Sequence, residues 1–165
     1  MLFGNRYGGN RYGPYADFVR TSGPARLTYR RSSSKTAKVR RFNQVTVLAG
    51  NTAGSGLSIS CGDSTVSFPA GEDYVRAVFS VPDSSERVSV RLSAAADIYG
   101  VLMDNKTGVA VDNAAMRGCS GTIFTRMNSA QLERFYREQN VRLIILQYGG
   151  NMVPSIKNAS QISKF

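Results

Sequence analysis

Residues 42–95 constrain the fold more than any other stretch. They alternate apolar and polar side chains with period two and break at turn residues about every ten positions. Val45 and Val47 run to Gly50. Leu57, Ile59 and Cys61 run to Gly62-Asp63, and Val66 and Phe68 run to Pro69 and Gly71. Val75, Ala77, Phe79 and Val81 then alternate with Tyr74, Arg76, Val78 and Ser80, and Val88, Val90 and Leu92 alternate with Ser89, Arg91 and Ser93. Successive strand side chains point to opposite faces, so each segment buries one face and wets the other. Short strands of this kind, separated by turns, predict an antiparallel β-sandwich of jelly-roll type. Upstream, YADFV and ARLTYRR offer two further short strands.

The chain has 165 residues, 42% of them apolar, enough for one domain or two small ones and too apolar for a wholly disordered chain. No apolar run approaches the roughly 18 residues of a membrane-spanning helix. The opening MLFGNRYGG has no apolar core of signal-peptide length. Histidine is absent, so no Ser-His-Asp triad and no His-based zinc site can be completed from these residues. No metal and no cofactor is expected. The two cysteines, Cys61 and Cys119, read as buried free thiols rather than a disulfide.

Charge is unevenly placed. Residues 1–41 hold ten Lys or Arg against one acid, Asp17, which is +9 of the total +10. Such a stretch suits an anionic partner, with Tyr7, Tyr12, Tyr15 and Tyr29 interleaved among the bases. It equally suits a solvated arm, or a strand face whose Arg stems lie along apolar surface. No motif of an RNA-binding sheet, helix-turn-helix or zinc finger is present. Nucleic acid therefore ranks last among the partners read from the sequence.

From residue 96 the pattern changes. IYGVLMD, VAVDNAAM and VRLIILQY are apolar on both faces, and MNSAQLERFYREQN carries a helix capped by Asn128 or Ser129, with Leu132, Phe135 and Tyr136 on one side and Asn140 at its end. The order strand, loop, helix, strand predicts one right-handed βαβ unit. The expected organisation is α+β overall, with a sandwich over residues 1–95 and a partial α/β piece over 96–165. One parallel unit of this size cannot cover both faces of its strands, so it calls for further strands from a missing portion or a complementing chain.

Two loops in that piece carry chemistry, Arg117-Gly118-Cys119-Ser120-Gly121-Thr122 and Gly149-Gly150-Asn151. A backbone N–H at one and an Asn amide at the other are the donors of an oxyanion hole. RGCSGT and LIILQYGGN together resemble the second and third sequence blocks of SGNH (GDSL-type) hydrolases, whose core is a flavodoxin-like α/β sheet. AVDN followed by RG-SGT is similar to bacterial O-acetylesterases of carbohydrate or peptidoglycan, in which a carbohydrate-binding β-sandwich is inserted. The resemblance implies an internal portion of a serine esterase, in the periplasm or at the cell surface. Gly121 and Asn151 would supply the oxyanion hole, with Gly118 supporting the turn, and the triad would lie outside this chain. Met152 stands where the family has an acid. Gly62-Asp63-Ser64 matches the family's nucleophile block in letters, but it lies between strands rather than before a helix, so Ser64 is set aside as nucleophile. The alternative is a stand-alone sandwich that binds carbohydrate or a polyanion without catalysis. Its sugar-stacking candidates are Tyr7, Tyr12, Tyr15, Tyr29 and Tyr74.

Overall fold

A computed structural model describes residues 12–36, 40–52, 54, 56–114, 121–148, 150, 153 and 156–164. Its strands are β1 (Val19–Arg20), β2 (Ala25–Arg30), β3 (Gln44–Gly50), β4 (Leu57–Cys61), β5 (Ser64–Phe68), β6 (Val75–Ser80), β7 (Arg87–Leu92) and β8 (Asp97–Asp104), followed by the helix α1 (Ser129–Glu138). The strands form two four-stranded sheets with orders β1-β8-β3-β6 and β2-β7-β4-β5, and every neighbouring pair is antiparallel. The fold is mainly β.

The period-two pattern does what its spacing requires. Val45, Val47, Ala77 and Phe79 from the first sheet meet Leu57, Ile59, Val88, Val90 and Leu92 from the second in one buried cluster. Burial of a Leu, Ile, Val or Phe side chain is worth about 1.5–3 kcal/mol each, so this layer dominates stability. The Gly62-Asp63 turn joins β4 to β5 as a two-residue hairpin, with Cys61 opposite Ser64 and Gly62 at φ 59°. Cys61 is buried and free, and burial pushes its thiol above the ordinary range.

At the other end of the first sheet a charged group is sealed in. Asp97 opens β8 fully buried, directly opposite Arg20 on β1. The Arg20 Nε and Nη2 donate to its two carboxylate oxygens at 2.7 and 2.8 Å, and Asn51 Nδ2 adds a third donor at 3.1 Å. Next to it the β3 residue Gly50 lies against the Asp73 carbonyl, which also accepts the Tyr99 hydroxyl at 2.9 Å. A side chain at position 50 has no room there.

The expected parallel unit is not shown among the described residues. IYGVLMD is a strand, but it lies between β1 and β3 in the sandwich, antiparallel to both, instead of starting a parallel unit. Residues 109–114 and 141–148 form no strand, and no parallel pair occurs among the described residues, so the βαβ unit is not seen. Their apolar character marked segments able to pair, but pairing needs a partner edge, which local sequence does not encode. By its contacts the chain divides into Phe18–Asp112 and a second unit of Met1–Asp17 with Asn113–Phe165. In the second unit Asn128 caps α1 by accepting from the Gln131 N–H at 3.1 Å, Phe135 is buried, and Asn140 ends the helix at φ 53°.

Replacing Arg20 by Ala leaves the sealed Asp97 carboxylate with one side-chain donor. A loss of about 2–3 kcal/mol is expected, the discount from a fully buried pair reflecting the half-exposed guanidinium, and urea denaturation followed by circular dichroism measures it.

Candidate functional site

The outward face of the second sheet has one composition throughout. Alternation on β2 turns Ala25, Leu27 and Tyr29 inward and Arg26, Thr28 and Arg30 outward. On β7 it turns Val88, Val90 and Leu92 inward and Arg87, Ser89 and Arg91 outward. The register then sets Arg26 opposite Arg91, Thr28 opposite Ser89 and Arg30 opposite Arg87. Ser60 and Thr65 continue the first of these rows across β4 and β5, and Ser58 lies opposite Ser67. The face therefore presents arginine, serine and threonine, and no acid.

Hydroxyls tie this surface together. Thr28 and Ser89 share a hydrogen bond of 3.0 Å, Ser58 and Ser67 one of 2.9 Å, and the Ser58 N–H donates to Ser93 Oγ at 2.9 Å. The two arginine rows lie four residues apart along the strands, about 13 Å. The only ion pair near them joins Arg31 to Glu86 at 3.2 Å at the strand ends, and Arg26, Arg30, Arg87 and Arg91 form no ion pair among the described residues. Like charges directly opposite on neighbouring strands repel, so the folded sheet holds two unfavourable pairs. An oxyanion or a row of phosphates laid over the face relieves both, accepting from guanidinium forks and hydroxyls together.

The opposite outer face differs. Thr46 and Leu48 point outward from β3, yet both are buried. The open polar face of the sandwich is thus that of the second sheet.

The other sequence-derived candidates fall as follows. Gly121 has φ 89° and precedes the short 3-10 helix Thr122–Arg126; a β-carbon there would meet the Tyr148 ring at 3.0 Å. Its left-handed backbone and the close ring account for glycine at this position. Gly118 and Asn151 lie outside the described residues, as do Tyr7 and Cys119. Ser64 is exposed at the start of β5, just after the hairpin turn. The described tyrosine candidates take different positions. Tyr74 is buried, and Tyr29 faces inward, half-buried, with its phenol pushed upward by that burial. Tyr15 is half-buried with its ring 5.4 Å from Phe135 in an edge-to-face contact, and Tyr12 is half-buried too. Tyrosine beside arginine reads as polar surface in the sequence, whereas strand alternation puts Tyr29 on the apolar side.

The arginine face was overlooked in the sequence. The alternation of Arg91 with Val90 and of Arg26 with Leu27 was visible on each strand, but nothing local says that β2 and β7, more than fifty residues apart, are neighbours. Among known proteins, no family model and no curated protein matches this chain. No helix among the described residues is long and apolar enough to cross a membrane.

Exchanging Arg26 and Arg30 for Thr removes the repulsion opposite Arg91 and Arg87 and supplies good strand formers. The double variant is expected to be more stable by about 0.2–1 kcal/mol for each relieved pair, the gain shrinking as salt is added, in urea titrations at low and high ionic strength.

Proposed function

We propose that this protein is a non-enzymatic, nucleic-acid-binding coat-type sandwich that holds the phosphate backbone on the outward face of its second sheet. The single observation carrying the reading is the acid-free field of Arg26, Arg30, Arg87 and Arg91 set among hydroxyls. The strand orders 1-8-3-6 and 2-7-4-5 support a jelly roll, the frame of viral coat subunits and of lectins. Fold alone does not choose between these uses. The basic quarter favours the first, since two of its arginines sit on the face itself and residues 1–41 carry +9. The buried or inward positions of Tyr74 and Tyr29 count against sugar stacking. With no exposed aromatic on the face, recognition follows backbone charge and not base identity.

The esterase that the SGNH resemblance implies asks for a parallel sheet bearing residues 117–122 and 143–151, and it rests on that resemblance alone. An oxyanion hole from Gly121 and Asn151 in a carbohydrate deacetylase, periplasmic or at the cell surface, is therefore the second-placed reading.

Binding of a single-stranded oligonucleotide, titrated across salt concentrations, tests the proposal. Converting Arg26, Arg30, Arg87 and Arg91 to Thr removes four phosphate contacts, which should reduce the slope of log K against log salt by about 3. Affinity and stability then move in opposite directions. An unchanged slope in a folded variant would discard the face. Equal affinity for heparin at matched charge would widen the ligand to polyanions in general, and ester hydrolysis abolished by Ser64→Ala would restore the esterase.

A further inference from the structure

The charge on the second sheet forms a single track. Arg26 and Arg30 on β2 and Arg87 and Arg91 on β7 are all exposed, and these two strands are neighbours at one side of the sheet. The other two strands carry no charge outward. β4 offers Ser58 and Ser60, β5 offers Thr65 and Ser67, and the turn joining them holds an acid, Asp63. Along the track the register makes three rows, Arg26 with Arg91, Thr28 with Ser89 and Arg30 with Arg87. Each row is two residues from the next, about 6.8 Å. That pitch is close to the separation of successive phosphates along an extended polynucleotide. The direction across the sheet instead repeats about every 4.8 Å and loses its charge after two strands. The middle row is neutral but still offers a proton. Thr28 and Ser89 share one hydrogen bond of 3.0 Å, which uses one of their two hydroxyl protons. The second O–H is left to donate, whichever side chain donates the first.

We infer that one polynucleotide strand runs lengthwise along β2 and β7 and sets three successive phosphates on these rows, the middle one accepting from the Thr28–Ser89 pair, so that the face takes single strands in preference to duplex. This rests on the nucleic-acid reading above and adds the form of the ligand and the part of the two hydroxyls in holding it. Three phosphates against four guanidinium groups leave the charge nearly balanced. Hydroxyl donors between the arginine forks fix a backbone in place without reading its sequence. A duplex brings a second backbone across a groove of about 6 or 12 Å. That backbone would fall on the uncharged β4 and β5, beside Asp63, or past the edge of the sheet at β2.

Binding of oligothymidylate to the full chain, followed by fluorescence anisotropy, tests this. Thr28→Val with Ser89→Val removes both hydroxyls, keeps every charge and supplies strong strand formers. The variant should bind roughly tenfold more weakly at an unchanged salt slope, because it loses a hydrogen bond to a charged group and no ionic contact. Thr28→Ser keeps the donor and should bind like the wild type. Hybridising the oligothymidylate with oligoadenylate should weaken binding severalfold at equal phosphate concentration. In amide spectra of the wild type, the titration should shift residues 26–30 and 87–91 together and leave 65–67 in place. Undiminished binding by the folded double valine variant, duplex held as tightly as the single strand, or shifts on β5 as large as those on β2 would each overturn the track. Binding lost with the four arginines but kept by the two valines removes the track alone and leaves the face as the site, whereas binding indifferent to the arginines removes both.

Discussion

The sandwich depends on one sealed carboxylate. Asp97 sits where the first and last strands of the sandwich meet, and its burial is tolerable because the Arg20 fork and the Asn51 amide satisfy it from two directions. A charged group in that position is demanding: it accepts no neighbour that cannot donate. That demand fixes β1, only two residues long, against β8 and brings the turn after β3 to the same place. The rest of the core is apolar and tolerant by comparison. The polar end settles which strands close the sheet, while the apolar layer supplies most of the stability.

The second sheet shows the opposite economy. Its inner side is an ordinary alternating core face, but its outer side holds arginines opposite arginines when serine or threonine would be calmer neighbours. Departures from local preference of this kind gather where a protein meets its ligand. On the proposed reading a bound anion would relieve that repulsion, and the stabilisation missing from the free sheet would reappear as affinity. The hydroxyl rows between the arginines keep the surface flat and short-chained, leaving the guanidinium groups as its highest points.

Sequence pattern revealed strands with accuracy where period-two alternation was clean, as in Leu57–Cys61 and Arg87–Leu92, and revealed the helix through its Asn128 cap and the Leu132, Phe135 and Tyr136 stripe. It misplaced IYGVLMD because an apolar strand looks alike in a parallel and an antiparallel sheet. It took VRLIILQY for a buried strand because composition reports what a segment would do once partnered, not whether its own chain provides the partner. The arginine face stayed hidden for the related reason that it exists only between strands. Individual alternations could be read at Arg26 and Arg91; their adjacency is a property of the register.

The pairing of β1 with β8 and of β2 with β7 has a kinetic consequence. Residues 77 positions apart must meet before Arg20 can satisfy Asp97, and Thr28 finds Ser89 across 61. Among the described strand pairs, the β4–β5 hairpin is the shortest in sequence, which makes it the natural seed from which the sheets grow outward. Closure of the first sheet waits until Asp104 has been synthesised, and chains of such high contact order fold in milliseconds to seconds rather than microseconds. The aliphatic residues 143–146 follow Asp104 by some forty positions, so synthesis delivers every strand of the sandwich before that apolar run.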